Sequence, residues 1–204
     1  MSNVRQQSMP IPNTNFAAVM LLSEIDLQCK VIERSAAQLH EYAAYWIALG
    51  QGIDNGKSAA PIDIVAACAA CLSAATSIRR LLFPCDRKDK VILKRCDTLT
   101  GLLGNPSLPI LSSAKVRNSW EHLDERLDTL LSTKTYGSFS PIHVAAKPPD
   151  ASTFVLRHFD PVKMEIRYGS DVIALEPCIN ESKELSALVN AAFKRLKSES
   201  CHVY

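Results

Sequence analysis

The chain has 204 residues, of which 47% are hydrophobic and 22% are charged, and its formal net charge is +2. This length suits one well-buried core with a small appendage, and this composition excludes a wholly disordered chain. The net charge is too small to indicate a nucleic-acid-binding protein unless basic residues cluster locally.

Residues 1–13 contain no apolar run followed by a small-residue cleavage site, so no secretion signal is expected. We expect these residues to form a flexible N-terminal arm. The chain has seven cysteines, an odd number, which is typical of reduced thiols in the cytoplasm. Cys68 and Cys71 have metal or redox spacing, but they lie in an Ala-rich helical run without a second such pair. We therefore expect a cytoplasmic protein in which these cysteines are small core residues.

Three helices are predicted in the first half of the chain. Apolar residues at helical spacing predict the first helix over residues 15–49, and the glycines at 50, 52 and 56 end it. Pro61 begins a second helix that runs to about Phe83, and a third helix follows over residues 86–103. The apolar stretch within the second helix, residues 64–78, is too short and too weakly apolar to span a bilayer, so no membrane association is expected.

A fourth helix is predicted from Ser112 or Ser113 to about Lys134. Its apolar stripe includes Val116, Trp120, Leu123 and Leu127. At 100° per residue, Arg117, Asn118 and His122 share the face that is turned away from this stripe.

The remaining chain divides into a loop or linker over residues 134–152 and a tail over residues 153–204. The linker contains Gly, Ser and three prolines with no apolar period. The tail contains three short β-prone runs and a last amphipathic helix over about 181–197. The predicted fold is therefore mainly α: a bundle of four to five helices over residues 14–133, followed by a small C-terminal antiparallel β-meander and a terminal helix that packs on the bundle.

The polar face of the fourth helix carries residues suited to RNA cleavage without a metal. Arg117 offers a fork of donors to phosphate oxygens, and His122 titrates near neutrality and can move a proton. Asn118 lies four residues before His122, so it can orient the imidazole or bind a phosphate oxygen. Three carboxylates are also close in sequence and can support or pair with these groups: Glu121, Asp124 and Glu125.

The sequence Arg117-Asn118-Ser-Trp-Glu-His122 resembles the signature of HEPN domains, in which an arginine, a polar residue, three residues and a histidine follow one another. The resemblance covers roughly residues 14–133, and outside the signature it rests on helix count and order. It implies a HEPN-like helical bundle that commonly dimerises, so that two signature helices line one cleft. Arg117 and His122 would then be catalytic, with Asn118 as their polar partner.

Family members include metal-independent endoribonucleases of toxin–antitoxin and phage-defence systems and members without known nuclease activity. The resemblance therefore implies a homodimer that binds RNA or a nucleotide phosphate, alongside a regulatory partner protein. Toxins silenced by a nucleotidyltransferase antitoxin usually carry Tyr two residues after the histidine, whereas this chain has Asp124 there. The alternatives are a non-catalytic HEPN-like module that binds nucleotides, RNA or a protein, and a purely structural helical dimer in which Arg117 and His122 pair internally with the nearby carboxylates. The polar face of the helix can also be a simply solvated surface.

Other candidate residues gather at the junction of the second and third helices. Four of these basic residues could contact an RNA phosphate backbone or form a solvated surface: Arg79, Arg80, Arg87 and Lys88. The histidines at 40, 143, 158 and 202 show no metal-ligand spacing with one another. No metal and no cofactor are predicted.

Overall fold

The structure is a computed structural model that describes residues 14–54, 56–84, 88–113, 128, 132, 138–150, 152–168 and 171–200. The described residues form four helices and six short strands. In chain order these are α1 (Thr14–Gly50), α2 (Pro61–Leu82), α3 (Lys90–Leu102), β1 (Ser138–Ser140), β2 (His143–Val144), β3 (Thr153–Val155), β4 (Arg157–Asp160), β5 (Glu165–Tyr168), β6 (Asp171–Ala174) and α4 (Leu175–Ser200).

Helix α1 is one continuous helix whose buried hydrophobic residues follow each other in alternating steps of four and three. These residues are Ala18, Leu22, Ile25, Cys29, Ile32, Ala36, Leu39 and Ala43. Such spacing keeps one narrow stripe facing its neighbours along the whole helix. α1 packs along α2 and α4 through this stripe, and three of its members are alanines, which allow the helices to approach closely.

Local sequence explains where α2 and α3 begin and end. The carboxylate of Asp63 accepts the backbone N–H of Ala60 at 3.1 Å, which satisfies a donor at the start of α2. Asp89 caps α3, since its side chain accepts the N–H groups of Val91 and Ile92. After α3, Gly104 and Asn105 have φ angles of 78° and 53°, so the chain leaves the helix through the left-handed region.

The strands form two small sheets. In the four-stranded sheet the order is β2-β4-β5-β6, with β4, β5 and β6 antiparallel and β2 parallel to β4. β1 and β3 form a second, two-stranded parallel sheet. One face of the larger sheet places Phe159, Ile166 and Ile173 in the same core as the helices.

The prediction of a helical bundle followed by a plain antiparallel meander is therefore wrong. The fold is mixed, with helices and parallel as well as antiparallel strands, and β1 and β2 lie inside the segment predicted to be a loop. Both parallel pairings join residues that are 15 positions apart in the chain: Ser138 pairs with Thr153, and His143 pairs with His158. Sequence periodicity does not reveal this pairing, because each strand is too short to show a period of two and Pro141 interrupts them.

The terminal helix is longer than predicted. α4 begins at Leu175, directly after β6, rather than near residue 181. The buried Leu175, Cys178 and Ile179 join its first turns to the core. Pro177 lies in the first turn of α4, where its missing N–H removes no hydrogen bond of the helix.

Candidate functional site

The predicted catalytic residues Arg117, Asn118 and His122 lie outside the described residues. So do their predicted supporting residues and one predicted phosphate contact: Glu121, Asp124, Glu125 and Arg87. Of the later part of the predicted fourth helix, the structure describes Asp128 and Ser132, both helical and exposed. The geometry of this polar face therefore stays a prediction.

The residues that lead into the signature segment are held by a carboxylate from α4. Glu181 is 9% exposed, and its carboxylate accepts the backbone N–H of Ile110 at 2.9 Å and that of Leu111 at 2.8 Å. Hydrogen bonds to an ionised carboxylate are stronger than those between neutral groups, and a buried site shields them from water. This contact fixes the backbone a few residues before Arg117.

Helix α2 holds the same turn from another side. Nε of Arg79 donates to the carbonyl oxygen of Ser112 at 3.1 Å, and the N–H of Ser112 donates to the carbonyl of Leu108 at 2.9 Å. Leu108 and Leu111 are both buried. The chain therefore reaches residue 113 along a path that is fixed by α2 and α4 together.

Three of the predicted phosphate contacts are described by the structure. Arg79 is half-buried and uses its Nε on Ser112, whereas Arg80 and Lys88 are exposed near the junction of α2 and α3. The guanidinium of Arg95 donates to the carbonyl of Arg80 at 2.8 Å, which ties α3 to the end of α2. Arg79 thus has a structural contact, while Arg80 and Lys88 occupy the surface on which a phosphate contact was predicted.

A pair of histidines was missed by the sequence analysis. Nδ1 of His143 lies 2.9 Å from Nδ1 of His158, on neighbouring strands of the larger sheet. His40 has a different partner, because its Nε2 lies 2.5 Å from a carboxylate oxygen of Glu176. No sequence signal relates His143 to His158. The two residues meet because β2 pairs in parallel with β4, and β3 lies between these strands in the chain.

The cysteines of α2 are core residues, as predicted. Cys68 and Cys71 are free thiols with no exposed surface, and burial raises the pKa of Cys68 to about 12. Burial also raises the pKa of Cys29 to about 11, against a hydrogen bond with Ser182 that lowers it. These thiols are unreactive at neutral pH, since the thiolate is the reactive form.

Within the described part of the chain, no group of three or more His, Cys, Asp or Glu side chains is arranged to hold a metal ion. The whole of α2 has the length and hydropathy of a membrane-crossing helix. The expectation of no membrane association rested on its central residues 64–78 alone, which are too short to span a bilayer. Half of its most apolar window is buried within the structure. Packing against α1 contributes to the burial of that half.

Comparisons of this chain with models of known protein families, with curated proteins and with solved structures found no match.

Proposed function

We propose that this protein is a metal-independent endoribonuclease of the HEPN type that acts as a homodimer in the cytoplasm. The observation that carries the proposal is the order Arg117-Asn118 followed by His122 after three intervening residues. On a helix this spacing gathers a phosphate-binding fork, an amide and a titratable imidazole on one face. On such a helix the face would lie opposite the apolar stripe of Val116, Trp120, Leu123 and Leu127, which would be available for packing.

These residue types can cleave RNA by the attack of a ribose on its own phosphate. The 2′-hydroxyl loses its proton and attacks the adjacent phosphorus, and the 5′-oxygen leaves and takes up a proton. His122 would exchange one of these protons, and Arg117 would hold the negative charge that grows on the phosphate oxygens. The products would carry a 2′,3′-cyclic phosphate on one fragment and a 5′-hydroxyl on the other.

Contacts of the described residues support this proposal. Glu181 and Arg79 fix the backbone at Ile110, Leu111 and Ser112, shortly before the proposed catalytic residues. Catalytic groups work best when the surrounding structure holds them in place. Arg80 is adjacent in sequence to Arg79 and exposed, so it is suited to binding the RNA backbone beside the proposed cleft.

The proposed biological role is phage defence or growth control, with a regulatory partner protein that restrains or triggers cleavage. A homodimer would bring two copies of Arg117 and His122 to one cleft. Asp124 occupies the position at which nucleotidyltransferase-silenced toxins usually carry Tyr, so we propose a different type of regulatory partner.

The second candidate function is a non-catalytic module that binds a nucleotide, RNA or a protein on the same face. The proximity of carboxylates in the sequence favours it, because Glu121, Asp124 and Glu125 lie within eight residues of Arg117. An ion pair of His122 with one of these groups would engage the imidazole, so that the face could hold a phosphate or a partner without cleaving it.

The deciding experiment is cleavage of mixed cellular RNA by the purified protein in the presence of EDTA. Wild type is compared with Arg117→Ala and His122→Ala, and the product ends are analysed for 2′,3′-cyclic phosphate. Arg34→Ala and His40→Ala serve as matched controls, since both side chains are exposed on α1. Circular dichroism and analytical ultracentrifugation confirm that every variant folds and show its oligomeric state.

The ribonuclease predicts cyclic ends with wild type and both control variants and a loss of about 100-fold or more with each signature variant. Absence of cleavage by a folded wild-type dimer contradicts the ribonuclease. RNA binding that is lost in Arg117→Ala, without any cleavage, would support the binding module.

A further inference from the structure

The histidine pair on the larger sheet has the geometry of a true ring-to-ring hydrogen bond. The planes of His143 and His158 differ by 21°, and their centroids are 5.1 Å apart. This separation is close to the Nδ1–Nδ1 distance of 2.9 Å plus the radii of two imidazole rings. The rings therefore meet edge to edge, with the two nitrogens pointing at each other, and not face to face.

Such a pair has a hydrogen bond in only some of its protonation states. When both rings are neutral, one Nδ1–H donates to the bare Nδ1 of the other ring, which carries its own proton on Nε2. One added proton goes to Nε2 of the donor ring, and the hydrogen bond persists with added strength because its donor is charged. A second added proton can only go to the accepting Nδ1, which places two N–H groups against each other and breaks the bond.

The surroundings of the pair oppose the second proton. His158 is 6% exposed, and its direct neighbour on β5 is Arg167. Burial, His143 and Arg167 all lower the pKa of His158 below its usual value, in that order, and Asp160 opposes them. Asp160 and Glu165 are the other charged residues at alternate positions on this face in the described part of β4 and β5, and Glu165 is engaged with Arg167 at 3.1 Å.

Few other bonds hold β2 to the sheet. β2 consists of two residues, and the next residue, Ala145, donates its N–H to the carbonyl of Phe159 at 3.1 Å. On the other side of β2, the N–H of Leu156 donates to the carbonyl of Ser140 at 3.1 Å. A two-residue parallel pairing makes few backbone hydrogen bonds, so a side-chain bond between its strands adds to its stability. Val144 and the preceding Ile142 also pack against the core.

We propose that the Nδ1–Nδ1 hydrogen bond between His143 and His158 is a pH-dependent link between β2 and β4, which we call the clasp. At neutral pH the clasp is closed and holds β2 on β4. In mild acid the second proton opens it and frees β2 and the following residues 145–150 from the sheet, while the antiparallel strands β4, β5 and β6 stay paired. This inference does not depend on the proposed ribonuclease activity.

The direction of the pH dependence follows from the lowered pKa of His158. A histidine whose pKa is lower in the folded state than the ordinary 6.5 stabilises the closed clasp fully above pH 6.5. That stabilisation is lost as the pH falls through the folded pKa.

The test is amide hydrogen exchange of the peptide that contains Ala145, measured by mass spectrometry between about pH 7.5 and about pH 5. Exchange is corrected for its intrinsic pH dependence and compared with a peptide from α1. The wild-type peptide is expected to lose protection roughly tenfold or more in acid, relative to the α1 peptide.

Two variants make the test specific. His143→Gln supplies an amide oxygen that can accept from His158 whether or not that ring is charged, so its peptide should stay equally protected across the pH range. His40→Gln is the control and should open like wild type. Wild-type protection that stays unchanged after His158 has gained its proton, or acid opening that persists in His143→Gln, would overturn the clasp.

Nuclear magnetic resonance of the histidine side chains decides the case if His143→Gln does not fold. The clasp requires that the pKa of His158 lies below the ordinary histidine value and that its protonation coincides with the loss of protection at Ala145. Protonation of His158 at the ordinary histidine pKa, or without loss of protection at Ala145, would overturn it.

Discussion

The carboxylate of Glu181 in α4 accepts the backbone N–H of Leu111 at 2.8 Å, across a separation of 70 residues in the chain. The same carboxylate also binds the N–H of Ile110. One buried side chain therefore joins the terminal helix to the turn before the proposed catalytic segment. The C-terminal helix therefore helps to position Ile110 and Leu111, which lie about 70 residues earlier in the chain.

Replacement of Glu181 by Ala should destabilise the protein by roughly 2–5 kcal/mol, because two backbone N–H groups lose their acceptor in a partly buried place. Glu181→Gln should cost less, since its amide oxygen can still accept one of them. Urea unfolding followed by circular dichroism measures both losses. Glu184→Ala is the matched control, because Glu184 is exposed on the same helix and should leave stability within about 0.5 kcal/mol of wild type.

The buried thiol of Cys68 should resist alkylation in the folded protein. Its pKa of about 12 leaves almost no thiolate at neutral pH, and it has no exposed surface. Treatment with iodoacetamide followed by peptide mass spectrometry should find Cys68 unmodified in buffer and fully modified in denaturant. Modification at equal rates in both solvents would contradict the burial of this helix face.

Asp160 should stabilise the turn between β4 and β5. It is 2% exposed, and its Oδ1 accepts the N–H groups of Val162 and Lys163 at 2.9 and 3.0 Å. Asp160→Ala should cost about 1–3 kcal/mol in thermal or urea unfolding, whereas Asp160→Asn retains an acceptor and should cost less. Equal losses for the two variants would show that the charge, and not the turn hydrogen bonds, matters at this position.

Asp89 should contribute to stability as the cap of α3. Its side chain accepts the N–H groups of Val91 and Ile92, which have no partner within the helix. Asp89→Ala should destabilise the protein by about 1 kcal/mol, and Asp89→Ser should recover most of that loss. Asp97→Ala, an exposed position within the same helix, provides the comparison; a loss at Asp97 as large as that at Asp89 would argue against capping.

The helices of the first half could be predicted from the sequence, but the residues by which they pack could not. Phe16, Met20 and Leu27 are large apolar residues of α1, yet all three are exposed. The buried stripe instead includes small residues such as Ala36 and Ala43. Apolar character identifies a helix, whereas the choice of buried face depends on which neighbours are present.

For the candidate site, too, some features could be predicted from the sequence and others could not. The types and spacing of Arg117, Asn118 and His122 are properties of the sequence, and the proposed chemistry rests on them. The anchoring of the preceding turn by Glu181 and Arg79 could not be predicted, because neither residue has a local pattern that relates it to Ile110 or Ser112.

The sequence by itself determined that three helices occupy the first half of the chain, because Pro61 and the Gly104-Asn105 turn act within a few residues along the chain. The start of the third helix was predicted wrongly, since α3 begins at Lys90 after its cap Asp89 and not at residue 86. It also determined which residue types are available for chemistry. Only the tertiary structure decided the parallel pairing of β2 with β4 and the meeting of His143 with His158. Pairing between separated strands depends on long-range burial of the sheet against the helices, and no short stretch of sequence encodes it.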